Sequence, residues 1–122
     1  FQEDQVPRGC QVFAHLLAWT PMGYSGKSIE MALSDEATLR GADLLLMGRS
    51  RRAEENQGLR FTYYGPGRPY DYHAYWSGWR FGYTDWTKQG KWVSIGYDEW
   101  GNNAIRFNYP LTIQAAFLRC RR

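Results

Sequence analysis

Val12-Phe13-Ala14-His15-Leu16-Leu17-Ala18-Trp19 is the run that decides how this 122-residue chain folds. It is apolar at nearly every position. A strand with one wet face alternates, so an unbroken run of this length reads as a central strand covered on both faces. Thr20-Pro21-Met22-Gly23-Tyr24-Ser25-Gly26 then breaks it, and Ser25 is placed to N-cap a helix. The helix is expected to reach about Arg40, with Ile29, Ala32, Leu33 and Ala37 forming one apolar stripe and Glu30, Asp35 and Glu36 lying off it. Gly41 suits the left-handed cap that would end it. Ala42-Asp43-Leu44-Leu45-Leu46-Met47-Gly48 is a second strand-length apolar run. Strand, helix and strand in this order read as a βαβ unit, with parallel strands and a right-handed crossover.

Outward from that unit the character of the chain changes. Arg49-Ser50-Arg51-Arg52 is followed by Glu54 and Glu55, and the segment 49 to 58 reads as a solvated charged loop. Beyond it, aromatic residues are 17% of the whole chain, a composition that favours strands and turns over long helices. Strands are expected over Leu59 to Tyr64, Tyr75 to Thr84, Lys91 to Tyr97, Ala104 to Tyr109 and Leu111 to Leu118. Gly65-Pro66-Gly67-Arg68-Pro69 and Trp100-Gly101-Asn102-Asn103 read as connections between antiparallel strands. The expected fold class is α+β: one main helix packed on a mixed, mostly antiparallel sheet, with an N-terminal βαβ unit followed by aromatic β-hairpins. Residues 1 to 9 are polar, contain Pro7 and Gly9, and read as a flexible leader to a single domain over 10 to 122.

Cys10 and Cys120 flank the first and last expected strands. Antiparallel neighbours would bring both to one end of the sheet, which favours a disulfide over two unrelated buried thiols. Such a bond persists outside the reducing cytosol. No stretch approaches the roughly 20 apolar residues that cross a bilayer, so a lipid anchor outside the given chain is the membrane contact this sequence leaves room for. The formal charge of +3 comes from an arginine-heavy set interleaved with acids, a weak signal for any polyanion.

The chain repeats itself once, in Gly82-Tyr83-Thr84-Asp85-Trp86 and Gly96-Tyr97-Asp98-Glu99-Trp100. Rings of this density are either the buried face of a hairpin or a binding surface, because aromatic faces stack on sugars and apolar side chains while nearby carboxylates accept hydroxyl hydrogens. Tyr72, His73, Tyr75, Trp76, Trp79, Trp86 and Trp100 are the candidate ligand-binding residues. Asp85 and Glu99 are the candidate carboxylates of an alternative, a small hydrolase acting on envelope polysaccharide. Apolar surroundings make His15 a hydrogen-bonded core histidine rather than a catalyst.

Pro21 to Ser28 is similar to the Walker A loop of nucleotide hydrolases in its Gly26-Lys27-Ser28 end. Pro21 stands where that loop begins with glycine, and it has no N–H to donate. The milder expectation is anion binding by Ser25, Lys27 and Ser28 at the helix start. The two cysteines and two histidines have no compact zinc spacing; no metal or cofactor is expected, and with no stacking motif intact, no nucleic acid.

Cys10 to Met47, read as cysteine, strand, Gly/Ser turn, helix, Gly-Ala-Asp and strand, resembles the domains of small bacterial envelope lipoproteins of the type found in the outer-membrane sensor of the Rcs phosphorelay. That resemblance implies a non-enzymatic binding or assembly module in the periplasm, associated with the outer membrane, or secreted. Its partner would be an envelope protein or glycan, and the module would be open to oligomerisation.

Overall fold

The computed structural model describes residues 6–56, 58–93, 102, 104 and 106–120. In chain order the elements are β1 (Cys10–Thr20), α1 (Gly26–Leu39), β2 (Leu44–Arg52), β3 (Arg60–Gly65), β4 (Tyr70–Asp71), α2 (Tyr72–Tyr75), α3 (Tyr83–Thr87), β5 (Trp92–Val93) and β6 (Leu111–Cys120). Five strands lie in the order β3-β1-β6-β2-β5, and β4 pairs with β1. The fold is α+β with an antiparallel sheet.

α1 forms where the apolar stripe and its caps agree. Ser25 Oγ accepts from Ser28 N–H at 3.0 Å, Ile29, Leu33 and Ala37 are buried, and Gly41 has φ +77° just past the end. Those three side chains press on Leu16 and Ala18 of β1 and on Ile113, Ala115 and Phe117 of β6. Among the described residues the opposite face of the sheet carries no long helix. It is covered by the aromatic segment between β3 and β5, with Tyr72, Trp76 and Trp79 on Val12, Leu46 and Leu118, and with Trp86 on Leu17 and Trp19.

β1 and β2 both run antiparallel to β6, so they are parallel to one another as the strand–helix–strand order implies. They are not neighbours, because β6 lies between them. Every ladder among the described residues is antiparallel, which corrects the expectation of a mixed sheet. The reason lies in β6: its first eight residues are all buried, so it takes the position covered on both faces and flanked on both sides.

Two bulges set which side chains face which layer. In β1, Val12 and Ala14 oppose Leu118 and Phe117, so Phe13 is an extra residue. In β2, Met47 opposes Ala115 while Ser50 opposes Ile113, so Gly48 and Arg49 together stand against Gln114. A bulge reverses the alternation beyond it. Simple alternation would put Arg49 and Arg51 on the α1 side with Leu45 and Met47. The bulge turns them to the aromatic side instead, and leaves Ser50 buried on the α1 side.

Other expectations are corrected. Arg49 to Arg52 belong to β2 rather than to a solvated loop. The alternating rings of 75 to 84 form no strand: Gly78 and Gly82 have φ +80° and +74°, outside extended backbone, and Trp76, Trp79 and Phe81 pack on side chains of the sheet while the segment stays out of its ladder. Gly65 to Pro69 does not join antiparallel neighbours. β3 and β4 both pair antiparallel with β1, so the loop interrupts a single edge. From 104 to 109 the described residues make one isolated bridge, Arg106 with Ser25, and Phe107 is buried beneath the turn that precedes α1. Short helices α2 and α3 join the one main helix. Val6, within the expected leader, is buried against Cys10 and Tyr72.

Candidate functional site

Between the edge of β2 and the aromatic cover lies an open cleft of about 760 Å³, within the size range of small-molecule sites. Arg49 and Arg51 of β2 and Gln114 of β6 form its floor, and Ser77, Trp79, Arg80, Tyr83, Trp86, Thr87 and Trp92 rise around them. The bulge at Gly48 makes this floor. A Cβ at Gly48 would stand 2.6 Å from the Trp79 ring and 2.9 Å from Gln114 Cβ, so only glycine lets the indole settle on the strand. Gln114 then closes the gap in the ladder, its Oε1 accepting from Arg49 N–H at 3.1 Å.

The guanidiniums are held by rings. Arg51 lies 4.8 Å from the Trp92 centroid and 5.3 Å from that of Trp86, and its Nη1 donates to Trp86 O at 2.8 Å. Its Nε is buried and has no hydrogen-bond partner among the described residues. Arg49 sits 5.3 Å from the Trp92 ring. Arg80 donates to Ser77 Oγ at 2.6 Å. Cation–π stacking of this kind fixes the plane of a guanidinium and leaves its N–H edge free to meet an anion. Among the described residues no carboxylate lines the cleft. Among the described residues the ion pairs are Arg40 with Glu36 and Lys88 with Asp85, neither of which involves the three cleft arginines.

Beside the cleft His15 is buried under four rings: Tyr70, Trp76 and Phe81 stacked on it, Trp79 edge-on. Its Nε2 shares a hydrogen bond of 2.7 Å with Tyr70 Oη, and its Nδ1 is buried without a partner among the described residues. Burial, and then the neighbouring Arg80 guanidinium, depress its pKa to about 4, so the ring is neutral. Burial pushes the Tyr70 phenol up to about 12. His15 is thus the hydrogen-bonded core histidine expected from its apolar strand.

The ligand-binding candidates scatter. Trp79 and Trp86 line the cleft, although Trp86 is only 3% exposed and offers little more than an edge. Trp76 stacks on His15 and Tyr72, and Tyr72 is 6% exposed inside the core. Tyr75 is exposed, and His73 is exposed with its Nε2 at 2.9 Å from Val6 O and 3.1 Å from Pro7 O. Trp100 and Glu99 lie outside the described residues. Asp85 sits in α3 with its Oδ2 accepting from Tyr64 Oη at 2.7 Å and its Oδ1 3.9 Å from Lys88 Nζ. Burial, with that carboxylate, raises the Tyr64 phenol above its usual range. At the start of α1, Lys27 N–H donates to Asn102 O and Ser28 N–H to Ser25 Oγ, so two of the donors that would greet an anion there are taken by the protein.

Cys10 and Cys120 are opposite one another on β1 and β6 and form a disulfide, which removes Cys120 as a thiolate nucleophile. Among the described residues no three His, Cys, Asp or Glu side chains gather to hold a metal, and no helix is long and apolar enough to cross a membrane.

Sequence reading missed Arg49, Arg51, Arg80 and Gln114 as site residues. The available signal was the period of two in Arg49 and Arg51, continuing the β2 run. Assigning their face needs the bulge, which only the register reveals. Compared with protein-family models, curated proteins and solved structures, the chain matches none.

Proposed function

We propose that this protein is a non-enzymatic binding module of the bacterial cell envelope, working outside the cytoplasm and using the aromatic cleft as its contact surface for an envelope glycan or protein. The observation that carries the reading is the exposure of rings where a globular core would hide them: Trp92 is 55% exposed and Tyr83 60%, both at the mouth of a cleft that also holds Trp79 and the edge of Trp86. Large amphipathic rings on a rigid sheet supply contact area at low entropic cost. The Cys10–Cys120 disulfide supports an oxidising compartment. The likeness of residues 10 to 47 to envelope lipoprotein domains points the same way.

The test is co-sedimentation of the oxidised protein with isolated bacterial envelopes, comparing wild type with Trp92→Ala and Tyr83→Ala. Both side chains are exposed, so folding should survive their loss. Wild type is expected in the pellet and both variants in the supernatant. Equal sedimentation of all three would remove the cleft as the contact surface, and a protein found reduced in cells would remove the compartment.

A further inference from the structure

Resting on that binding reading, we propose that the cleft is selective for an acidic saccharide chain, one whose sugar units carry carboxylates. Two observations converge on it. Among the described residues the cleft is lined by Arg49, Arg51 and Arg80 and by no acid, a local excess of positive charge in a chain that carries 15 basic and 12 acidic residues in all. The guanidiniums of Arg49 and Arg51 are stacked on indoles, which orients their planar forks, and a fork is the shape that meets a carboxylate through two parallel hydrogen bonds.

Charge alone would suit any anion; the rings narrow the class. Trp92 and Tyr83 are exposed next to the arginines, an arrangement that lets the apolar face of a pyranose stack on a ring while its carboxylate meets a guanidinium. A nucleic-acid strand would need a basic track following its backbone over several nucleotides, whereas these arginines are confined to one cleft. An anionic membrane surface would need a flat basic face rather than a recess.

The experiment uses the full-length oxidised protein and titrates tryptophan fluorescence and calorimetric heat with oligogalacturonate. The neutral cellohexaose serves as its uncharged counterpart. Oligogalacturonate is expected to bind at least about tenfold more tightly, with affinity falling as salt is raised from roughly 50 to 500 mM. Arg49→Gln combined with Arg80→Gln should erase that preference. Both residues are exposed, and Arg51, which holds Trp86 O, is left in place.

Equal binding of the two oligosaccharides, unchanged in the double variant, overturns acidic selectivity and leaves the glycan-binding cleft standing. Tighter binding of a single-stranded oligonucleotide or of phosphatidylglycerol vesicles overturns the saccharide class. If no oligosaccharide binds yet envelopes still sediment the protein through Trp92, the acidic-glycan inference falls and a protein partner takes its place. If neither occurs, both readings fall.

Discussion

Acidification should destabilise this protein through one residue, His15. In the unfolded chain a histidine binds its proton near pH 6.5, but beneath four rings the His15 pKa is depressed to about 4. Between those values the unfolded state holds more protons than the folded one, so stability rises with pH there. The contribution is therefore complete above about pH 6.5, falls as the pH drops, and is exhausted near pH 4. A fall in pKa from 6.5 to about 4 is worth about 3 kcal/mol over the whole window, of which about 2 kcal/mol is gone by pH 5. Urea unfolding at about pH 7.5 and about pH 5 measures it, with His15→Phe, Tyr70→Phe as the reference. The paired change keeps the ring stack and removes both ends of the Tyr70 hydrogen bond, so neither polar group is stranded. Apart from His15 and Tyr70 the two proteins carry the same ionisable groups, so the difference between them isolates the imidazole. Proton resonances give a second reading, since His15 and His73 are the only histidines. A folded-state His15 titrating near 6.5, or identical acid sensitivity in wild type and variant, would refute the reasoning.

Four further outcomes follow from the geometry. Replacing Cys10 and Cys120 by Ala opens a loop with a sequence separation of 110 and should cost up to about 5 kcal/mol by the loop-entropy argument, read as a fall in the urea midpoint. Gly48→Ala drives a methyl into the Trp79 ring and Gln114, so it should destabilise by about 1–3 kcal/mol and shift the Trp79 emission; an unchanged spectrum would mean that the indole does not rest on the bulge. Phe117→Ala removes a fully buried ring between α1 and the sheet and should cost about 3–5 kcal/mol in the same unfolding assay. Ser25→Ala deletes the cap on α1 and should cost about 0.5–2 kcal/mol, with helical signal lost first at that end.

Much of this molecule was legible in its residues. The run 12–19, the capped stripe of 26–39, the apolar run beginning at Ala42 and the apolar C-terminal strand each carry a local pattern whose burial is implied by composition alone, and the cysteine placement followed from which strands open and close the fold. Local pattern also shows that Arg49 and Arg51 share a face. It does not say which face, because one extra residue at Gly48 reverses the alternation and is chosen by where Gln114 and Trp79 pack. Nor does it say that Tyr75 to Thr84 covers a sheet instead of joining it: alternating rings suit both, and the matter is resolved only where Gly82, in the left-handed region, meets the Tyr64 ring and Phe81 stacks on His15. The sequence by itself determined which segments must be buried, because hydrophobic burial is a property of composition and period. Only the tertiary structure decided that β6 divides β1 from β2 and that three arginines meet at one cleft, because strand order and bulge position depend on contacts between residues far apart in the chain.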